Sequence, residues 1–180
     1  MKVRTVGIVS ATLWLATATA DANLAKHGDS NVTFTAIGPA GLRIVGKTAD
    51  LNVVDDGQHV SVTVPLAKLD TGISLRDTHM RDKYLEVGTY PSAQLTVDRA
   101  SLKFPDQAPS DATTNGTMTI HGKSKAVSVH YHATRNADGI HVSGDTQVNM
   151  KDYGINVPAY LGITVKPDVS LVVNFIVSDS

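Results

Sequence analysis

Cysteine is absent from this sequence of 180 residues. Its absence excludes structural disulfides, thiolate chemistry and a lipid-modified N-terminal cysteine. A large excess of charge of either sign is absent as well, because 16 basic residues are balanced by 17 acidic ones. A chain with so little net charge is not expected to bind nucleic acid. Its stability must come from a hydrophobic core, and the length is sufficient for one domain.

Long hydrophobic runs are also absent, apart from one near the N-terminus. Two positive charges precede the apolar stretch Val6–Ala20 (VGIVSATLWLATATA), which ends in small residues. This stretch is shorter than the roughly 20 residues that a permanent membrane-spanning helix needs, and its organisation is that of a secretory signal peptide. We expect cleavage after Ala20, or alternatively after Ala22. The prediction is a signal peptide over 1–20 and a single exported domain over 21–180.

Alternation of apolar and polar residues dominates the rest of the sequence. In Ile140–Met150 the even positions are apolar or small, whereas the odd positions are polar. This pattern predicts a strand with one buried side and one side facing water. Similar runs start near Val60, Met118, Val127 and Val169, and turn-forming residues separate them. We therefore expect about eight strands, mostly antiparallel.

Both a β-sandwich and a closed barrel fit this strand pattern. Long strands and small inward residues, such as Ala36, Gly46 and Gly144, favour an all-β, antiparallel up-and-down barrel. An eight-stranded barrel is either filled by its side chains or just wide enough for one ligand, and small inward residues favour a hollow one. The predicted wall of the cavity consists of Phe34, Ile44, Val60, Val62, Val64, Leu95, Val97, Met118, Ile120, Val127, Val129, Val142, Val148, Leu171, Val173 and Phe175.

One charged segment interrupts the strand pattern, SLRDTHMRDKYLEVG (Ser74–Gly88). Ser74 and Asp77 have the spacing of a capping box, and Gly88 stands where a helix would stop. Asp77 and Arg81 are four residues apart, which supports a helix of about three turns. This helix either covers one end of the barrel and satisfies its own charges or presents cations to a ligand. We expect the first role to dominate.

The histidines do not assemble into a convincing metal site. His130 and His132 lie on the same side of a predicted strand, a spacing that metal sites use. That side is the polar, outward one, and His121 lies about 13 Å away along the sheet at ~3.3 Å per residue. No carboxylate clearly completes the set. We predict neither a metal site nor a cofactor.

Motifs for catalysis are missing as well. The sequence has no Gly-x-Ser-x-Gly, Ser-x-x-Lys or His-Glu-x-x-His motif and no glycine-rich phosphate loop. Asp77 and His79 are two residues apart on the predicted helix, so they point in different directions and cannot act as a pair. Asp55 and Asp56 fall in a turn and are expected to be solvated. We predict that the protein is not an enzyme.

Three segments resemble the YceI-like family. LDTGISLRDTHMRDKYLEVGTYPSAQLTV (Leu69–Val97) is similar to the family signature, an Arg-Asp-x-His-Leu-Arg core followed by an aromatic-Pro pair. NGTMTIHGKSKAVSV (Asn115–Val129) resembles the family's hairpin, and VNMKDYGINV (Val148–Val157) resembles its strand before an Asp-aromatic-Gly loop. The three occur in the family's order, within a resemblance that extends over 31–177. A histidine common in the family's first hairpin is missing from Thr35–Lys47.

The resemblance implies a lipocalin-like barrel in the bacterial periplasm, with a long apolar cavity for a polyisoprenoid lipid such as a prenyl pyrophosphate or a quinone. A charged lipid head would stay at the cavity mouth, where Arg76, His79 and Arg81 are the candidate cations. Membrane contact would be transient at most, and an open mouth or an exposed sheet edge would each allow a homodimer.

Two other functions are compatible with the sequence. The first is a ligand-free periplasmic stress or interaction protein with a packed barrel, which would use its outer surface, including a strip of His121, His130 and His132. The second is an enzyme or electron-transfer partner that acts on a bound isoprenoid.

Overall fold

The chain folds into a closed barrel of antiparallel strands. The computed structural model describes residues 23–106, 108–160 and 163–179, so the predicted signal peptide lies outside the described residues. The strands are β1 (Leu24–Ile37), β2 (Arg43–Thr48), β3 (Asn52–Asp55), β4 (His59–Pro65), β5 (Ser92–Asp98), β6 (Ser110–Ile120), β7 (Lys123–Asn136), β8 (Gly139–Asn149), β9 (Ala159–Tyr160), β10 (Ile163–Thr164) and β11 (Asp168–Asp179).

Eight strand positions close the barrel. Neighbouring strands pair in chain order from β3 to β8, and β11 pairs with both β8 and β1. β2 and β3 share one position, because β2 pairs with β1 through Thr48 and Val32 and β3 pairs with it through Val54 and Ala25. Val32 also lies opposite Val173 of β11, which closes the ring. The predicted eight-stranded antiparallel barrel with a short helix near one end is confirmed.

Alternation decides which side chains enter the barrel. On β8, Ile140, Gly144 and Val148 are buried, whereas the intervening Ser143 and Asp145 are exposed. A shift of the pairing register by one residue would expose all of these apolar side chains, so the alternation fixes the register of the strand. The hairpin strands β9 and β10 stand apart as a separate two-stranded sheet.

A glycine permits one close approach inside the barrel. Phe34 on β1 lies directly opposite Gly46 on β2. A Cβ atom at Gly46 would lie only 2.1 Å from a ring carbon of Phe34. The missing side chain therefore lets the aromatic ring lie across β2, an arrangement that any larger residue would prevent.

One end of the barrel is plugged by the connection between β5 and β6. The backbone N–H of Lys103 donates a hydrogen bond of 2.6 Å to the Tyr131 hydroxyl, and Phe104 packs against the core. Asp55, expected to be solvated, is instead buried here and bonded to Arg99 at 2.9 Å. The reason is that its carboxylate bonds to the backbone N–H of Leu24 and to Arg99, which are distant in the sequence. Asp56 is exposed, as expected.

The charged segment forms a helix at the opposite end. α1 (Ser74–His79) continues into a π-helical turn, Met80–Tyr84, and together they give about three turns. The capping-box prediction is wrong, because the N-cap is Ile73 and the Asp77 carboxylate accepts from Thr71 instead. The helical stretch also ends at Tyr84, before Gly88. No helix within the described residues has the length and apolar character that spanning a membrane requires.

Candidate functional site

A cavity of about 800 Å³ occupies the barrel interior. This volume lies within the range of small-molecule sites. Its wall extends from Leu102 and Phe104 at the plugged end to Leu42 and Leu75 at the helical end, and apolar side chains dominate it. The wall residues at the plugged end are mostly buried, whereas Leu42 and Leu75 are exposed. The mouth is therefore at the helical end, and the barrel is hollow rather than packed solid.

Most of the residues predicted for the wall do line this cavity. They are Phe34, Ile44, Val60, Val62, Val64, Leu95, Val97, Met118, Ile120, Val129, Val142, Val148, Leu171, Val173 and Phe175. Val127 does not line it. This residue lies near the turn between β6 and β7 and packs against the core cluster that contains Met118 and Tyr153.

Sequence reasoning missed the two ends of the cavity. At the plugged end the wall includes Leu102, Phe104 and Tyr131, and near the mouth it includes Met80 and Val165. Tyr131 could have been predicted, because it lies two residues after Val129 on β7 and therefore points to the same inward side. The other four residues lie outside the long strands, where alternation gives no signal.

One face of the helical segment forms part of the mouth. Leu75, Arg76, His79 and Lys83 line the cavity, at the spacing of three or four residues that places side chains on one helical face. The exposed Asp82 does not line it. The charged side chains that this face presents to the cavity, Arg76 and Lys83, are therefore cationic.

Thr71 organises the charges beneath this helix. Arg76 donates from Nε to the Thr71 hydroxyl and from its terminal nitrogen to the Thr71 carbonyl, both at 2.7 Å. Asp77 accepts from the backbone N–H of Thr71 at 2.9 Å and from its hydroxyl at 2.5 Å. Burial alone would raise the pKa of Asp77, but these hydrogen bonds and the nearby Arg81 charge hold this pKa below its usual value. The Arg76 side chain is thus held in place at the edge of the mouth.

Arg81 does not lie where a residue that binds the head of the lipid would be expected. It does not line the cavity. Its guanidinium donates to the carbonyls of Ala67 and Leu69 at 3.1 and 3.4 Å. The same segment pairs with β2, because Lys47 and Asp70 exchange two backbone hydrogen bonds. Arg81 therefore ties the helix to the segment that covers the β2 edge.

Replacement of Arg81 by alanine is expected to weaken the fold rather than the site. Loss of two charge-assisted hydrogen bonds should lower the free energy of unfolding by about 1 to 2 kcal/mol. Denaturant unfolding would measure this loss, and ligand affinity measured on the folded fraction should stay unchanged. A large affinity loss in a variant of native stability would assign Arg81 to the ligand instead.

His130, on the outer barrel face, lies between two carboxylates. Its Nε2 is 2.9 Å from Asp111 and its Nδ1 is 3.1 Å from Asp145, while Nδ1 of His132 is 3.6 Å from Asp111. Hydrogen bonds that the ring donates to Asp111 and, to a smaller extent, to Asp145 raise the pKa of His130. No group of three or more histidine, aspartate or glutamate side chains in the described ranges is arranged to hold a metal ion. Asp111 and Asp145, partners that the sequence did not reveal, thus favour the protonated form of this imidazole.

His130 should titrate above the ordinary histidine value of about 6.5. Because the pKa of His130 is raised in the folded protein, its interaction with the two carboxylates stabilises the fold fully below the pKa of the unfolded state. This stabilisation disappears as the pH rises through the pKa of the folded state. Proton NMR titration of the imidazole would measure the shift. In Asp111→Asn the pKa should fall towards 6.5, and an unchanged pKa in that variant would rule out the pairing.

His121 does not join His130 and His132 in an outward strip. It lies in the turn between β6 and β7 with a left-handed φ of 51°. Its ring packs on Tyr90 with centroids 4.3 Å apart, and its Nε2 is 3.5 Å from Glu86. The expected strip is wrong at this position, because the turn directs the side chain against the segment that follows the helix.

Solved structures share this fold. The polyisoprenoid-binding domain from Saccharophagus degradans, implicated in plant cell wall breakdown, superposes with a TM-score of 0.73 at 16% identity, covering 88% of this chain and 99% of that domain. Burkholderia cenocepacia BcnA gives a TM-score of 0.65 at 16% identity, covering 82% and 95%. At such low identity these likenesses establish the fold.

Comparison with known sequences identifies the family, through a family model that matches most of the chain. A UPF0312 protein of Pseudomonas fluorescens is 31% identical over 121 residues, which cover 62% of this chain and 60% of that protein. One from Shewanella oneidensis is 29% identical over 105 residues, covering 54% and 53%. The chain thus spans little more than half the length of these curated relatives. The YceI-like domain matches residues 11–177, most of the chain. By this match and by its fold, the chain belongs to the YceI-like family.

Proposed function

We propose that this protein is a periplasmic carrier that holds a polyisoprenoid-type lipid, such as a prenyl pyrophosphate or a quinone, in its barrel. The observation that carries the proposal is the apolar cavity of about 800 Å³ with its mouth at the helical end. The polyisoprenoid-binding domain of S. degradans supports it, as a protein of the same fold.

The cavity wall suits a long hydrocarbon chain. Burying such a chain gains at most about 0.8 kcal/mol per methylene-sized group, so affinity grows with the length that the cavity accepts. A branched isoprenoid contacts a wall of Val, Leu and Ile side chains without leaving a buried polar group unpaired. Within the described barrel, Val62, Leu95, Leu171 and Val173 provide this kind of surface.

The head of the lipid would remain at the mouth. Arg76 is held by Thr71, and His79 and Lys83 follow on the same helical face. An arginine held in place binds phosphate oxygens with little further loss of side-chain entropy. Arg81, one of the three original candidates, is replaced in this proposal by Lys83, because only the latter lines the cavity.

The arrangement of the mouth favours binding over catalysis. In the described part of the chain, no carboxylate is hydrogen-bonded to His79, and the nearest acid in sequence, Asp77, is already bonded to Thr71. A general base usually needs such a partner to orient its ring. We therefore infer that the protein carries its ligand unchanged.

Mass spectrometry of the exported protein tests the proposal. The mature chain would be purified from a bacterial periplasm, weighed intact under native conditions and extracted with organic solvent. We expect one isoprenoid per barrel, whose mass accounts for the added mass of the complex. A protein that remains free of ligand after polyprenyl lipids are supplied would contradict the carrier function. Absence of the protein from the periplasmic fraction would contradict the location alone.

A further inference from the structure

Exposed apolar side chains concentrate at the cavity mouth. Five large apolar residues of the described chain are exposed, and three of them line the mouth: Leu42 (60% exposed), Ile73 (53%) and Leu75 (67%). They come from two separate segments, the loop between β1 and β2 and the start of α1. Single exposed apolar residues are common, but convergence at one opening marks an interaction surface.

Cations accompany these apolar tips. Arg76 and Lys83 line the mouth on the helix side. On the other side, the exposed Arg43 follows Leu42 directly, and the backbone N–H of the exposed Lys166 donates to Ile37 at the start of the same loop.

The acids of this end are placed differently. Asp77 is buried against Thr71, and Asp168 accepts from Asn149. Glu86 lies beside His121, and the exposed Asp70, Asp82 and Asp152 do not line the cavity. The rim of the mouth therefore combines apolar tips with positive charge.

We propose that this rim docks reversibly onto an anionic bilayer surface. Leu42, Ile73 and Leu75 would enter the headgroup region, while Arg43 and Lys166 would contact lipid phosphates. This inference rests on the proposed carrier function, because it places the cavity mouth against the source of the lipid. An isoprenoid could then enter the barrel without its chain crossing water, a step whose cost rises with the apolar area exposed.

The combination favours a bilayer over a protein partner. Apolar side chains surrounded by lysine and arginine are the features that bind peripheral proteins to anionic membranes. The described residues supply three apolar tips at the rim, a small number, so the contact would be weak enough to release the protein after loading. A second copy of this chain would place two cationic rims against each other, which charge repulsion opposes.

Vesicle cosedimentation tests the docking. The mature protein would be mixed with phosphatidylglycerol–phosphatidylethanolamine vesicles and, separately, with pure phosphatidylcholine vesicles. We expect binding to the anionic vesicles only, and binding that weakens as salt rises. The double variant Leu42→Ser/Leu75→Ser should bind at least about tenfold more weakly. Val54→Ser, which removes another exposed apolar side chain but lies near the plugged end, should bind as the wild type does.

A charge variant separates docking from ligand binding. Arg43→Gln/Lys166→Gln removes two cations that do not line the cavity. At about fivefold per cation, the loss of two cations should weaken binding to anionic vesicles about 25-fold. Its binding of geranylgeranyl pyrophosphate in solution, measured by native mass spectrometry, should equal that of the wild type. Thermal unfolding midpoints near the wild-type value would show that the variants are folded.

The outcomes distinguish the two proposals. Equal binding of the wild type and both double variants to anionic vesicles overturns the docking. The docking is also overturned if the wild type binds both kinds of vesicle equally well, or if it binds neither kind. Self-association of the wild type that both double variants abolish would indicate a second copy as the occupant and would also overturn it. If the wild type binds anionic vesicles but takes up no geranylgeranyl pyrophosphate or longer polyprenyl lipid, the carrier function fails while the docking surface stands.

Discussion

Replacement of Gly144 by leucine is expected to weaken ligand binding about fiftyfold while leaving the barrel folded. Gly144 lies in the middle of β8 and lines the cavity. A leucine there would occupy the space of about three methylene groups, each worth about 0.8 kcal/mol, and the sum corresponds to this loss of affinity. Native mass spectrometry or a competition assay with geranylgeranyl pyrophosphate would measure it.

The fold should accept this side chain. A Cβ atom at Gly144 would meet Val173 Cγ2 at 3.4 Å and Tyr131 Cβ at 3.9 Å, both ordinary contacts. Glycine in a strand also costs backbone entropy on folding, so stability should stay equal or rise by up to about 1 kcal/mol. Gly144→Ala is the matched control, because it changes the backbone entropy in the same way but removes little of the cavity volume. Unchanged affinity in the folded leucine variant would mean that the ligand does not lie in the barrel.

Replacement of Asp55 by alanine is expected to lower the free energy of unfolding by about 3 kcal/mol, the scale of breaking a buried ion pair from one side. The carboxylate accepts from the backbone N–H groups of Leu24 at 3.1 Å and Gly57 at 2.9 Å, and from Arg99 Nε at 2.9 Å. It thus joins the start of β1, the turn after β3 and the connection that plugs the barrel. Denaturant unfolding would measure the loss.

The ion pair between Asp55 and Arg99 also contacts the cavity wall, through Arg99. Its guanidinium carbon lies 5.1 Å from the ring centroid of Phe104, which lines the plugged end. Asp55→Asn, which keeps the shape and removes the charge, should cost less than Asp55→Ala. If alanine and asparagine variants both unfold at the wild-type denaturant concentration, the buried pair does not stabilise this end.

The Asp55 contribution should also depend on pH. Burial alone would raise the pKa of Asp55, but hydrogen bonds from Gly57, Arg99 and Leu24 outweigh it and lower this pKa in the folded protein. Its stabilising contribution is therefore complete above the unfolded value of about 3.9 and is lost as pH falls towards the folded value. The stability difference between wild type and Asp55→Asn should shrink below about pH 4.

Much of the barrel could be predicted from local pattern. In β8, alternation from Ile140 to Val148 gave the strand, its inward face and the small residue Gly144 that leaves room for a ligand. This works because successive side chains of a strand point to opposite faces wherever the strand lies. Val127 shows what alternation cannot predict. Alternation assigns a side chain to the inward or outward face, but it does not say how far along the barrel the cavity extends.

The charged residues were harder to predict. Asp55 and Asp56 are adjacent in one turn, yet one is buried against Arg99, 44 residues later, and the other is exposed. Asp77 had the spacing of a capping partner for Ser74 but bonds to Thr71. Polar side chains bond to whichever group the fold brings within about 3 Å, and spacing along the chain does not reveal that neighbour.

The sequence by itself therefore determined the strands, their inward faces, the presence of a helical insertion and the resemblance to one family, because these depend on local periodicity and on motifs. Only the tertiary structure decided that the barrel is hollow, which end is plugged, and that Lys83 rather than Arg81 lines the mouth. These features depend on contacts between residues distant in the chain, and such contacts form only when the strands close into a ring.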